Sequence, residues 1–480
     1  MGHPGTLPVI NKEAIKKVLQ LGLALGSKIP KKSKFDRKNY FYPDLPKGYQ
    51  ISQYDEPLCV GGFLEINGKK LNLTRIHLEE DTARLSHSAD NSYGRVRIAE
   101  GKRPEARYSY ADFNRAGVPL MELVTEPDIE SGKEATNFSK ELQIILRYLD
   151  ISDADMEKGQ MRVEANISLM RTNLGTNNTD NIREISGQIS GQISENLRKL
   201  GTKVEIKNLN SFQAVEKAVD FEIKRQEEVL ENGEKVSQET RGWDEFKKET
   251  FSQRSKEEAH DYRYFPEPDL PPLDFSKPDF IDLGEIERSL TELPQQKRLR
   301  FVKEYNLKTE QTEFLVSDKN LAEFFERAVS ELLADKGQDK RDEKIQLVFN
   351  YLGSDLQGLM KAESVDVKNL KITAENFADF VLMISSGEIS SRIAKDLLKE
   401  MFLTGLDPRQ IIKEKEMSQI SGEEELIKTI EQVFLENPKA VDDYKKKGET
   451  ALQYLIGQAM KKLKGRGNPQ ILKALFKNKL

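Results

Sequence analysis

At 480 residues the chain is too long for one compact core, and at roughly 150 residues per domain its length predicts about three domains. Hydrophobic residues make up 37% of the chain and charged residues 32%, a balance typical of soluble globular proteins that excludes wholesale disorder. The 75 Lys and Arg residues against 80 Asp and Glu give a net charge of -5. That charge excludes a strongly basic nucleic-acid-binding protein but allows a local basic patch.

The rare residues limit the chemistry further. A single cysteine, Cys59, excludes an intrachain disulfide framework and a zinc site built from several thiolates, so zinc is not expected in this chain. No apolar run approaches the roughly 20 residues that cross a membrane. The N-terminus has no charged segment leading into an apolar one. We therefore expect a cytoplasmic protein, or one of an organelle stroma or matrix in an organellar system, with no membrane partner.

Two sequence patterns divide the chain. Up to about residue 280 short alternating runs and many turn residues predict mixed structure, and beyond it the pattern is almost purely helical. The change follows four prolines between residues 266 and 272, which interrupt both helices and central strands. We predict an α+β fold with an antiparallel sheet in a domain over 1–281, an all-helical domain over 282–405 and a small helical tail domain over 406–480.

In chain order, the first predicted element is a hairpin over 62–73 that turns at Asn67-Gly68. Apolar and polar residues alternate over 161–169 and again over 203–207, which predicts strands with one apolar and one polar face. Helices are predicted near 131–149, 212–231, 341–361, 375–386 and 388–401, and one that Ser317 or Asp318 caps.

The chain ends on a basic segment. The final 30 residues hold seven basic residues and no acid. Positive charge without acid is typical of a surface that binds an RNA backbone, and an amphipathic helix with a solvated basic face is the alternative.

Two acidic motifs are candidates for a metal site. The first is His77-Leu-Glu-Glu-Asp81, after a strand-like run, where the carboxylates either bind magnesium or form a solvated acidic turn. The second is Glu122, which lies inside an apolar run. A carboxylate there is either paired or metal-bound, or it sits on the exposed face of a strand.

Two further groups of residues favour phosphate or nucleotide binding without requiring it. The polar face of the predicted sheet carries directional hydrogen-bonding groups. The alternative is that these polar residues only keep a solvent-exposed sheet face soluble. Its members are Arg162, Glu164, Asn166, Glu205, Lys207, Asn208, Asn210 and Ser211. Residues 34–54 interleave bases with aromatic residues, which suits phosphate and nucleobases but equally suits a packed, proline-containing loop.

These same segments resemble the B subunit of the aspartyl/glutamyl-tRNA(Asn/Gln) amidotransferase, the GatB family, which acts on misacylated Glu-tRNA(Gln) and Asp-tRNA(Asn). The likeness spans nearly the whole chain. It is carried by residues 34–50, the His77 acidic motif, and the segments 114–128, 205–212, 253–272 and 457–461.

The resemblance implies a cradle-like catalytic domain, a helical domain and a tail domain. It also implies a glutamine-hydrolysing carbon–nitrogen ligase of translation that uses ATP and Mg²⁺ to phosphorylate the side-chain carboxylate of the tRNA-bound amino acid. Ammonia from the glutaminase, which is the A subunit of the amidotransferase, would then displace phosphate. The small C subunit would help hold the heterotrimer together.

The resemblance also assigns roles to residues. Glu80 and Glu122 are expected to be catalytic and to bind magnesium. The residues expected to line the site for ATP and the aminoacyl end are Arg162, Glu164, Asn166, Lys207 and Asn208. Those expected to bind the tRNA are Lys461, Lys462, Lys464 and Arg466.

The chain departs from the family at its start. Members usually begin about 60 residues earlier, with a strand whose Glu and His help bind magnesium. We expect that the start was set at an internal methionine. The alternative is that this chain is a non-catalytic tRNA-binding scaffold. The preference between Glu-tRNA(Gln) and Asp-tRNA(Asn) is left open.

Overall fold

The computed structural model describes residues 3, 5–87, 109–169, 183–186, 200–255, 262–277, 280–334, 340–415, 423–463, 467 and 469–479. The chain divides into two compact units, Met1–Leu293 and Pro294–Leu480. The first unit is mixed α+β and the described part of the second is helical, so the predicted fold class is confirmed. The division into three domains, with boundaries after residues 281 and 405, stays a prediction.

The strands of the first unit form several small sheets. In chain order they are β1 (Lys32–Ser33), β2 (Asp36–Asn39), β3 (Tyr49–Ser52), β4 (Cys59–Val60), β5 (Phe63–Ile66), β6 (Lys69–Glu80), β7 (Arg84–His87), β8 (Ser109–Asp112), β9 (Pro119–Thr125), β10 (Val163–Leu169), β11 (Arg183–Ser186), β12 (Val204–Leu209), β13 (Glu239–Asp244), β14 (Glu249–Ser255), β15 (Phe265–Pro266) and β16 (Leu273–Asp274). The helices of this unit are α1 (Lys12–Ala24), α2 (Gly132–Tyr148), α3 (Phe212–Glu231) and α4 (Leu283–Ser289).

Strand β6 is the centre of one sheet, where β4, β5 and β9 all pair with it in antiparallel fashion. The predicted hairpin is confirmed as β5 and β6, and its turn residues Asn67 and Gly68 have φ angles of 52° and 81°. Positive φ at both central residues is what a two-residue hairpin turn requires.

A second sheet has the strand order β11-β10-β12-β13-β14. It is antiparallel as predicted except for β12 and β13, which run parallel. The exception follows from α3, which connects these two strands and carries the chain back across the sheet before β13 begins. Ala165, Ile167 and Ile206 of this sheet are buried in the same core as Val215 and Val219 of α3.

Helices α2 and α3 confirm the helices predicted near 131–149 and 212–231. Each begins after a serine that caps it: the Ser131 hydroxyl accepts from the Glu134 amide, and the Ser211 hydroxyl from the Ala214 amide. Gly132 permits a close approach to α3, since a Cβ there would lie 2.4 Å from a backbone oxygen of that helix.

The described part of the second unit consists of helices. They are α5 (Pro294–Tyr305), α6 (Thr309–Val316), α7 (Lys319–Ala334), α8 (Arg341–Asn350), a π-helix (Tyr351–Leu356), α9 (Gln357–Glu363), a 3₁₀ turn (Val367–Asn369), α10 (Ala374–Ser385), α11 (Ser391–Thr404), α12 (Pro408–Glu414), α13 (Glu423–Glu436), α14 (Pro438–Lys447), α15 (Glu449–Lys462) and α16 (Pro469–Lys479). As predicted, Asp318 caps α7, and its carboxylate accepts from the Asn320 amide at 2.8 Å. None of the helices in the described residues combines the length and apolar character that a membrane crossing requires.

Candidate active site

A histidine and two glutamates converge where β6 pairs with β9. His77 and Glu79 are two residues apart on β6 and therefore share a face, and His77 lies directly opposite Glu122 in the antiparallel register. His77 Nε2 is 3.8 Å from a carboxylate oxygen of each glutamate. One ligand atom from each residue lies within 4.8 Å of the others, so the three form a candidate metal-binding cluster.

The surroundings of this cluster keep Glu79 ionised. His77 and Glu79 are buried, whereas Glu122 is partly exposed. Burial by itself would raise the pKa of Glu79, but His77, the charge of Lys38 and the Ser52 hydroxyl lower that pKa overall. The Ser52 hydroxyl donates to Glu79 Oε2 at 3.0 Å. The cluster therefore presents negative charge next to an imidazole.

The donor set fits a divalent cation. Two carboxylates are ligands that Mg²⁺ prefers, and an imidazole is a ligand more typical of transition metals. His77 Nδ1 is buried and has no hydrogen-bond partner in the described part of the chain. One of the two ring nitrogens is therefore not satisfied by a hydrogen bond within those residues. The edge of the cluster at Glu122 is open to solvent, which leaves access for a ligand.

Glu80, which the resemblance assigned to the metal, lies outside this cluster. Side chains alternate along a strand, so Glu80 points to the opposite side of β6 from Glu79. Its carboxylate accepts from Lys47 Nζ, and from the Ile51 amide at 2.8 Å. The structure thus places Glu79 rather than Glu80 beside Glu122, and metal binding by either predicted residue stays a prediction.

A second polar cluster lies on the sheet of β10, β12 and β13. The register between β10 and β12 shifts at a bulge, where Glu164 faces both Lys207 and Asn208. Lys207 Nζ lies 3.5 Å from Glu164 Oε2 and 3.5 Å from Glu205 Oε1. The Thr240 hydroxyl donates to the other oxygen of Glu205 at 2.9 Å. An ammonium group is therefore held between two carboxylates, one of which is fixed by a threonine.

Electrostatic interactions join this second cluster to the first. The side chain of Glu164 is half exposed to solvent. The protein atoms around its carboxylate nevertheless desolvate it, and this raises its pKa. Lys207 opposes the rise, while the charges of Glu205 and Glu122 add to it. For Lys207 itself desolvation lowers the pKa, but the two neighbouring carboxylates raise it overall, so it stays protonated.

The other residues predicted for this site take separate positions. Arg162 pairs with Asp81 at 2.7 Å, and Asp81 also pairs with Arg115 at 2.9 Å. Asn166 is buried and lies opposite Glu205 in the register. Asn208 is exposed at the bulge with a positive φ of 66°. The structure thus brings Glu164 and Lys207 together, with Glu122 acting on Glu164 through its charge, and it pairs Arg162 with Asp81 instead.

The aromatic residues of segment 34–54 partly pack and partly remain exposed. Tyr54 stacks on Tyr264 with ring centroids 4.3 Å apart, and Tyr40 meets Tyr262 edge-on at 5.9 Å. Burial, together with the nearby charges of Glu79 and Glu122, raises the pKa of Tyr264. The tyrosines that pack support the packed-loop interpretation of this segment.

The predicted tRNA-binding residues are described only in part. Lys461 and Lys462 are exposed in the last turn of α15, and Lys462 pairs with Glu436 at 2.6 Å. Lys464 and Arg466 lie outside the described residues.

Several residues of the two clusters were not assigned roles from the sequence. Alternation along 69–80 was a usable signal, because it places His77 and Glu79 on one face and Glu80 on the other. No local signal links Thr240 to Glu205, since their contact arises from the parallel pairing of β12 with β13.

Comparison with known proteins adds independent information. The family model for the GatB/GatE catalytic domain matches residues 1–281 of this chain. The family model for the GatB domain matches residues 333–480. The chain is 42% identical over 484 residues to the B subunit of the aspartyl/glutamyl-tRNA(Asn/Gln) amidotransferase of Thermoanaerobacter sp. (strain X514), which covers 100% of this chain and 91% of that protein. It is 41% identical to the proteins of the same name from Persephonella marina and Thermotoga petrophila, again over 100% of this chain and over 91% and 90% of theirs.

Proposed function

The chain belongs to the GatB/GatE family, and we propose that it is the component of a tRNA-dependent amidotransferase that amidates misacylated Glu-tRNA(Gln), Asp-tRNA(Asn) or both. The observation that carries the proposal is the convergence of His77, Glu79 and Glu122 within the region that the catalytic-domain model matches. The charge of Glu122 also acts on Glu164, which pairs with Lys207. The partners would be the glutaminase (the A subunit), the small C subunit and the tRNA.

The proposed reaction has two steps. An oxygen of the side-chain carboxylate on the tRNA-bound Glu or Asp attacks the γ-phosphorus of ATP, and ADP leaves. Ammonia, which the glutaminase releases from glutamine, then attacks the carbonyl carbon of the acyl phosphate. Inorganic phosphate leaves with the oxygen that came from the carboxylate, and a proton from ammonia is lost as the amide forms.

The residues of the two clusters suit this chemistry. His77, Glu79 and Glu122 would hold Mg²⁺, which neutralises phosphate charge during phosphoryl transfer. Lys207 stays protonated between its two carboxylates and supplies a point charge for the phosphate oxygens. The exposed Lys461 and Lys462, with Lys464 and Arg466, would bind the tRNA backbone through its phosphates.

Reconstitution with the two protein partners tests the proposal. The chain is mixed with the glutaminase, the small C subunit, glutamine, ATP, Mg²⁺ and Glu-tRNA(Gln), and Gln-tRNA(Gln) is quantified. We expect amide formation that requires ATP, and the same assay with Asp-tRNA(Asn) determines which substrate is used.

Two matched variants make the test specific to the cluster. Glu122→Gln should abolish amide formation while tRNA binding survives. Glu126→Gln is the control, because Glu126 accepts a hydrogen bond from the Thr74 hydroxyl at 2.9 Å and glutamine keeps that acceptor. A wild-type complex that assembles and binds tRNA but forms no amide would instead support the scaffold alternative.

A further inference from the structure

One arginine on β6 carries a charge that the described residues do not pair. Arg75 Nε is buried and has no hydrogen-bond partner, and no acidic side chain of the described residues forms an ion pair with this guanidinium. The side chain as a whole is only partly buried, and of its three nitrogens Nε alone is closed off from solvent. Because desolvating a charge without a partner costs free energy, the open Nη groups are donors available to an anion.

Arg75 lies on the same face of β6 as the candidate metal-binding cluster. Side chains alternate along a strand, so Arg75 shares a face with His77 and Glu79. Ile76 and Leu78, which point the other way, are buried in the hydrophobic core. Two residues along a strand span roughly 7 Å, which is the expected distance between the Cα atoms of Arg75 and His77.

The lateral neighbours of Arg75 leave its charge uncompensated. In the register of the sheet Arg75 lies between Val60 of β4 and Val124 of β9, and both are apolar. The charge of Arg75 acts to lower the pKa of Tyr264, while the charges of the two glutamates of the cluster raise that pKa. The guanidinium and the cluster therefore surround the same phenol ring.

We propose that the Arg75 guanidinium binds the γ-phosphoryl group of ATP while that group moves to the substrate carboxylate. This inference rests on the proposed function, in which a bond between the carboxylate oxygen and phosphorus forms as the bond to ADP breaks. Negative charge spreads over the three outer phosphoryl oxygens during this transfer. Arg75 makes and breaks no covalent bond. Its Nη groups donate hydrogen bonds to those oxygens, for which a planar fork of donors is suited.

Matched variants on one strand test this role in the reconstituted complex. Arg75→Ala removes the guanidinium, and Lys70→Ala is the control because it removes the same charge from an exposed position on β6. We expect kcat for amide formation to fall at least about 100-fold in Arg75→Ala, since the contact is strongest in the transition state. The KM values for ATP and for Glu-tRNA(Gln) should change much less. Lys70→Ala should keep both kcat and KM.

Chemical rescue separates contact with the phosphoryl group from a structural role. Free guanidinium, at concentrations that leave the wild-type complex active, should restore part of the lost kcat in Arg75→Ala. Tetramethylammonium at the same concentration should not, because it has no N–H donors. Arg75→Lys keeps the charge without the planar fork, so its kcat should lie between those of the wild type and Arg75→Ala.

Three results would overturn the assignment. The first is an unchanged kcat in Arg75→Ala. The second is a rise confined to the KM for Glu-tRNA(Gln) with kcat retained, which would place the guanidinium on the substrate carboxylate instead. The third is a loss of kcat that free guanidinium does not restore, which would place the effect in the packing of the sheet.

Failure of the proposed function is a separate result, because it appears as absent amide formation in the wild-type complex. In that event equilibrium binding of inorganic tripolyphosphate in the presence of Mg²⁺ still tests Arg75. Calorimetric titration of the wild-type chain and of Arg75→Ala measures it. Weaker binding by Arg75→Ala is expected, and equal affinities would overturn the assignment.

Discussion

Glu79 and Glu80 are consecutive in the chain, yet their carboxylates point to opposite sides of β6. Glu79 faces His77 and Glu122 in the metal-binding candidate, whereas Glu80 accepts from Lys47 and from the Ile51 amide. The register of one strand therefore decides which of two neighbouring carboxylates is available to a metal ion.

Substitutions at these two positions should have different effects on metal affinity. Glu79→Gln removes a charged ligand, so we expect the affinity of the chain for Mn²⁺, used as a paramagnetic substitute for Mg²⁺, to fall at least about 10-fold. Glu80→Gln should change it much less. Electron paramagnetic resonance of free Mn²⁺ measures both affinities. Equal losses in the two variants would contradict the assignment of Glu79 over Glu80.

The Thr240 hydroxyl should stabilise the sheet by holding Glu205. Thr240→Val leaves a buried carboxylate without this donor, and we expect the free energy of unfolding to fall by about 1–3 kcal/mol. Thr240→Ser keeps the hydroxyl and is the control. The chain has a single tryptophan, Trp243, on the same strand, so its fluorescence during denaturation reports this region. Equal stability of the valine and serine variants would show that the hydrogen bond contributes nothing.

The ion pair of Arg37 with Glu267 should make stability depend on pH. Two hydrogen bonds of 2.7 and 2.8 Å join the side chains, and Glu267 is buried. Burial alone would raise the pKa of Glu267, but Arg37 lowers it below the ordinary value of 4.5. A lowered native pKa contributes stability above about pH 4.5 that is lost as the pH falls through the native pKa.

We therefore expect the wild-type protein to melt at a higher temperature than Glu267→Gln at pH 7. The difference should shrink below pH 4.5, where the wild-type carboxyl group gains a proton. Thermal unfolding followed by Trp243 fluorescence at both pH values measures it. A difference that is constant with pH would refute the linkage.

Cys59 should be unreactive in the folded protein. Burial raises the pKa of its thiol to about 12, so only a very small fraction is thiolate at pH 8. We expect no labelling by a thiol-specific reagent in native buffer and one equivalent after denaturation. Complete labelling of the native protein at the rate of a free thiol would contradict the buried position.

The exposed lysines at the end of α15 should act through phosphate contacts. Replacing Lys461 and Lys462 by glutamine should weaken tRNA binding at every ionic strength tested and reduce the slope of log K against log salt by about one per lost contact. Lys428 and Lys439, exposed on α13 and α14, replaced together by glutamine give a control with the same change in charge. An unchanged slope in the Lys461 and Lys462 variant would place the tRNA elsewhere.

The sequence predicted the elements whose conformation depends on residues close together in the chain, such as hairpin turns and helices. The Asn67-Gly68 turn and the serines before α2 and α3 carry their conformational preference within a few residues, and these elements were predicted well. The parallel pairing of β12 with β13 depends on the path of α3 across the sheet, which no local pattern contains.

The sequence singled out some residues of the two clusters and left others out. Glu122, Glu164 and Lys207 were singled out because a carboxylate in an apolar run and polar residues on an alternating strand are visible in the sequence. In the structure Glu164 pairs with Lys207, and the charge of Glu122 raises the pKa of Glu164. The acidic motif of residues 77–81 contains Glu79, but only the strand register shows that Glu79 shares a face with His77, which lies opposite Glu122. The contact of Thr240 with Glu205 arises only when distant strands pair.

The central claim is that the side-chain carboxylate of the aminoacyl group is phosphorylated before amidation. The most direct test uses Glu-tRNA(Gln) whose side-chain carboxylate carries ¹⁸O, with the reconstituted complex, ATP and glutamine. If the acyl phosphate forms, each amide is accompanied by one ¹⁸O transferred to inorganic phosphate, which mass spectrometry detects. Amide formation with phosphate that contains no ¹⁸O would contradict the account.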